Sequence, residues 1–248
     1  MSPLVDDIKT MIWKESKELI ASSGGLRRGR LTLLVMVVIL GVVLPFDQGR
    51  QWIESPLSLA VWVWVPMLLV ATAVADAIAG ERERRTLETL LASRMSDEAI
   101  LLGKIAAVML YAWVLVMAGF ILGVVTVNVV HGEGGLLFYA PEIALGAVLG
   151  SLLSSFVVAT AGVLVSLRAP TARQAQQILS TAMIVIIFVP LFGVQFLPPA
   201  WQERLLTMVT AASVSQLVLG LLVVLLIIGL TLLAMARQRF QRAKLILD

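Results

Sequence analysis

The sequence contains no cysteine and one histidine, His131. The first absence excludes disulfides, thiolate metal sites and a thiol nucleophile. The second excludes a metal centre built from several histidines of one chain. Charge is scarce too, at 14% of 248 residues, where an ordinary soluble domain has about a quarter. Hydrophobic residues supply 59%, and the mean hydropathy is +0.97. No polar stretch is long enough to fold by itself. The chain therefore reads as one membrane domain over residues 1–248, with short tails and no metal or cofactor site of its own.

A membrane-crossing helix needs about 20 apolar residues. Six segments approach this, at 31–46, 57–79, 105–130, 142–167, 178–197 and 214–236. The expected fold is all-α with six transmembrane helices. The first segment is the shortest and relies on tilt, or on arginines snorkelling at its start. With six spans, every lysine and arginine except Arg50 and Arg204 falls on one side. Basic residues collect on the cytoplasmic side, so both termini are expected there. Membrane orientation thus accounts for the small net charge of +3, with no nucleic-acid partner implied.

Residues 3–20 have the pattern of an interfacial helix. Leu4, Val5, Ile8, Met11, Ile12 and Leu19 share one face, which Glu15 interrupts; Trp13 lies towards its boundary. The outer loops, 46–56 and 131–141, are too short for a binding domain. Residues 198–212 suit a short outer helix or a re-entrant segment. Ionisable or strongly polar groups within spans are few: Asp76, Asn128 and Glu142, all near span ends. Asp76 suits gating or a subunit contact, or a solvated helix end paired with Arg82. Glu142, just after Pro141, suits the first turn of a helix. No charge series crosses the middle of a span, which disfavours an ion-coupled transporter. Small residues recur, including the pair Gly146-x-x-x-Gly150, and serve dimerisation or internal packing equally well.

The most charged internal segment is 81–104. Read as a helix over 81–95, it aligns Leu87, Leu90 and Leu91 in a ridge and spaces Glu81 with Arg85, and Arg84 with Glu88, as i,i+4 pairs. Ser96 then reads as the N-cap of a new helix, with Asp97 and Glu98 in its first turn, continuing through Gly103 and Lys104 into the third span. A loop that only kept topology would account for the arginines. It would not account for the interleaved carboxylates or the leucine ridge.

These residues resemble the permease subunits of type-2 ATP-binding-cassette (ABC-2) exporters. The likeness runs through Glu81, Glu83, Thr86, Leu87, Glu88, Leu90 and Leu91, then a turn, then Gly103-Lys104. Trp13-Lys14-Glu15 is similar to the elbow-helix pattern of that family, and residues 169–177 to its second cytoplasmic loop. Arg85 stands where the family commonly has glycine, and Arg94 where it often has proline.

The resemblance implies that residues 81–96 hold a coupling helix docked on a separate ATPase subunit, with contacts from Glu81, Glu83, Arg84, Thr86, Leu87, Glu88, Leu90 and Leu91. It implies two ATPases and a second permease, identical or a close paralogue, in the lipid bilayer. ATP and Mg2+ would be bound by the partner, since this chain has no G-x-x-x-x-G-K-[ST] loop and is not expected to be an enzyme itself. Two rival readings are a membrane scaffold that moves no substrate and an ATP-independent secondary transporter. An intramembrane enzyme is disfavoured because Asp76 and Glu142 are expected near opposite faces.

Overall fold

The structure, a computed structural model, describes residues 3–22, 28–86, 90, 92–132 and 134–240. These residues form helices, turns and loops, with no strand among them. Helix α1 is Pro3–Ser22 and α2 covers residues 28–48. A single turn, α3, is Gln51–Glu54. The long helices are α4 (Ser58–Glu83), α5 (Asp97–His131), α6 (Pro141–Arg168), α7 (Ala172–Gly193) and α9 (Val214–Arg239); α8 is Pro199–Ala211.

Among the described residues, four helices are long and apolar enough to cross a membrane: α4, α5, α6 and α9. They match the expected second, third, fourth and sixth spans. Helices α2 and α7 occupy the places of the first and fifth. Helix α2 starts before residue 31 and continues to 48, so it spans about 31 Å at ~1.5 Å per residue. Helix α7 begins six residues before the expected 178 and stops at Gly193. The 35 residues of α5 measure roughly 52 Å, well beyond a hydrocarbon core of about 30 Å. It thus exceeds the length of one perpendicular span, and it starts at the cap expected at Ser96.

Helix α6 is central, with α4 and α9 packed along it and α5 and α7 beside it. Its glycines make this possible. A Cβ on Gly162 would lie 2.1 Å from Val74 Cγ1, one on Gly150 2.9 Å from Val63 Cγ2, and one on Gly146 2.9 Å from Leu59 Cδ2. The Gly146-x-x-x-Gly150 pair thus packs within the chain.

Two π turns interrupt the helices, at Ile39–Val43 in α2 and Asp76–Gly80 in α4. The first has a direct cause. Pro45 has no N–H to offer the carbonyl of Gly41 four residues earlier. The Thr126 hydroxyl of α5 donates to that oxygen instead, at 2.6 Å. At the second, the Ser166 hydroxyl of α6 reaches the carbonyls of Val74 and Ala75, each at 3.2 Å. Backbone groups freed inside an apolar bundle need such replacements.

One end of the bundle carries the charged segment; the other carries an aromatic cluster. There Trp62 meets Trp52 and Phe120 edge-on at 5.6 and 5.3 Å, and Phe120 stacks on Tyr139 at 4.4 Å. Asn128 fastens the adjoining loop. Its amide donates to Leu137 O at 2.8 Å, and its oxygen accepts from Leu137 N at 2.7 Å. This is a structural task for a residue that the sequence placed only near a span end. Glu142 lies in the first turn of α6, after Pro141, as expected. Residues 199–211 are a helix.

Candidate functional site

The continuous helix expected over 81–95 does not form. Helix α4 runs through Glu83 and then stops in a Schellman turn: Thr86 N–H donates to Glu81 O at 2.9 Å, and Arg85 N–H to Arg82 O at 3.1 Å. This closure needs a left-handed residue at its fifth position, and Arg85 takes it with φ of 56°. Glycine, from which this chain departs at Arg85, would adopt that conformation without a Cβ clash. Leu87, Glu88 and Leu91 lie outside the described residues. Of the leucine ridge, Leu90 is described: it is half-buried and packs on the core at this end of the bundle.

Glu81 was expected on the docking face, but its carboxylate turns inward. It lies 2.9 Å from the Lys104 ammonium and 3.2 Å from that of Lys14. Lys104 also meets Glu15 at 2.8 Å, and Lys14 meets Glu15 at 3.4 Å and Glu18 at 3.3 Å. The side chains of Lys104, Glu81 and Glu15 are 1%, 5% and 6% exposed; Lys14 closes the cluster on its solvent side at 39%. Burial pulls the Lys14 pKa down, but Glu15, Glu81 and Glu18 outweigh it and hold the ammonium above its usual value. Carboxylate oxygens of Glu15, Glu18 and Glu81 come within 4.8 Å of one another, and the two ammonium groups serve as their counter-ions. The cluster is an ion-paired node that joins α1, α4 and α5.

The node explains two oddities of the sequence. Glu15 interrupts the apolar face of α1 because that face packs against α5 at the level of Lys104. Gly103 then lets α1 approach, since a Cβ there would lie 2.5 Å from Met11 Cβ. Met11 is fully buried. A lone carboxylate on one apolar face and a lone lysine at the start of a span were the available signal. Sequence spacing alone did not pair them.

The two residues after Glu81 hold other helix ends. The Arg82 guanidinium donates to Leu167 O at 3.1 Å and Ala169 O at 3.2 Å, at the end of α6. A Glu83 oxygen accepts from Ala172 N–H at 3.3 Å, at the start of α7. Cation and anion thus sit at the helix termini whose dipoles favour them. The side chain of Asp76 is outside the described part. Ser96 caps α5 as expected, its hydroxyl accepting from Ala99 N–H at 3.1 Å. Arg84, Thr86 and Arg94 are exposed. So is Trp13, with the Lys17 ammonium 3.6 Å above its ring.

Comparison with curated proteins finds no match. A family profile described as ABC-2 family transporter protein matches residues 55–236, which take in α4 to α8 and most of α9. With its apolar helices, the charged segment between α4 and α5 and this match over most of its length, the chain belongs to the ABC-2 family of transporter membrane proteins.

Proposed function

We propose that this chain is the permease subunit of an ATP-driven exporter, crossing the cell membrane six times with both termini in the cytoplasm. It works as a dimer, with itself or a close paralogue, on two copies of an ABC ATPase that binds ATP and Mg2+. Residues 84–96 dock on that ATPase. The observation that carries this reading is the convergence at one end of the bundle: the charged segment, the start of α5 and the α6–α7 junction meet there, in a chain of the ABC-2 family. Exposed Arg84, Thr86 and Arg94 offer polar contacts to a soluble partner. Closure of the ATPase dimer around ATP would favour one permease conformation by binding it more tightly. The aliphatic spans suit a hydrophobic or amphipathic cargo.

Co-purification tests the docking. With the ATPase co-expressed, Thr86→Ala combined with Glu88→Ala should still insert but retain much less ATPase. Full retention with unchanged nucleotide hydrolysis would remove the docking assignment.

A further inference from the structure

Three consecutive residues at the end of α4 each hold a different neighbour. Glu81 reaches Lys104 on α5 at 2.9 Å and Lys14 on α1 at 3.2 Å. Arg82 holds the carbonyls of Leu167 and Ala169 at the end of α6, and Glu83 the first N–H of α7. The signs suit each position: exchanging Arg82 and Glu83 would set a carboxylate against carbonyls and a guanidinium against an N–H. The tripeptide is also bounded by irregular backbone. The π turn at Asp76–Gly80 precedes it, and the Schellman turn with left-handed Arg85 follows. Single π turns inside α-helices occur frequently at functional sites.

We propose that Glu81-Arg82-Glu83 is a joint that ties the middle of α1, the start of α5, the end of α6 and the start of α7 to the end of α4, and that Arg82 and Glu83 are positioning residues for segment 169–177. Load applied to 84–96 then reaches the second loop and α7 through this chain, without an independent push there. The source of that load rests on the proposed function; the joint itself does not.

Hydrogen exchange read by mass spectrometry tests it, on the full chain in lipid nanodiscs, alone and with the ATPase, with and without ATP. In the chain alone, Arg82→Ala should speed exchange across 169–177 by about tenfold or more, the order expected for losing a charged hydrogen bond. The middle of α9 should not change. Arg82→Lys keeps the charge but not the two-pronged contact and should fall between. In the complex, wild type should show ATP-dependent exchange at both 84–96 and 169–177. Arg82→Ala should keep the first response and lose the second. An arginine that only stabilised the fold would leave the second response in place. That result, or unchanged exchange in the chain alone, overturns the joint. If wild type binds no ATPase, the docking assignment fails, and the chain-alone comparison still decides the joint.

Discussion

Single residues carry much of the energetics at the charged end. Lys104 is the most deeply buried ion here, and removing one member of a buried ion pair costs about 3–5 kcal/mol because the partner charge stays behind. Lys104→Met should therefore lower the thermal midpoint in detergent sharply. Adding Glu15→Gln and Glu81→Gln should recover most of the loss, since the stranded charges are then gone. No recovery would mean that Lys104 acts by packing alone. Arg85 makes the opposite prediction. A non-glycine residue in the left-handed region costs roughly 1–2 kcal/mol. Arg85→Gly should raise the midpoint, and a fall would show that the guanidinium makes a stronger contact than the strain it imposes. The raised pKa of Lys14 gives a pH window. Its stabilising contribution is complete below the ordinary lysine value of 10.5 and fades only as pH rises through the higher folded value. The thermal-midpoint difference between wild type and Lys14→Met should thus stay level through neutral pH and shrink only in strongly alkaline solution.

At the scale of elements, the helices are shaped by exceptions to regular hydrogen bonding. Helix α2 tolerates Pro45 because Thr126 supplies the donor that proline lacks. Thr126→Val keeps the shape and leaves Gly41 O without that donor, at a cost of about 1–3 kcal/mol. Exchange around residues 39–45 should rise accordingly; unchanged exchange and midpoint would remove the brace. The glycines of α6 make a different prediction. Gly150→Leu should reduce the yield of folded protein, measured by size-exclusion chromatography, because Val63 occupies the space. Loss of the proposed dimer with an intact monomer would instead mean that this face packs between chains. The sequence left those two readings open, since a GxxxG pair shows that a close approach exists but not which helix approaches. The ladder at 81–95 misled for a related reason. Period and ion-pair spacing favoured one helix, but the backbone closes at Arg85, where a Schellman turn satisfies carbonyls that a continued helix would have bonded further on.

For the whole molecule, the distribution of basic residues predicts sidedness. The chain has no native cysteine, so single introduced cysteines are clean reporters. Position 92 should label from the cytoplasm and position 135 from outside; labelling of both from one side would break the six-span topology. The charged end and the aromatic end also differ in what holds them. The first depends on ion pairs and helix caps contributed by five helices. The second depends on ring packing and the Asn128 clasp. A change of shape driven from the charged end can thus alter helix-end contacts while the aromatic end keeps its packing.

Composition and local pattern alone determined that this chain lives in a membrane, roughly where its helices run, where α5 begins and which family it resembles. These follow from terms that act locally: apolar length against bilayer thickness, and a serine that caps the next turn. Only the tertiary structure decided what the charges do. Glu15, Glu81 and Lys104 are far apart in sequence, and their pairing follows from where α1 lies on α5, which Gly103 and Met11 set by steric fit. In the sequence Arg82 is a candidate partner for Asp76 and Glu83 a docking contact, until α6 and α7 bring their ends beside them. Electrostatic partners depend on distance in space, and distance in space is a property of the packed bundle.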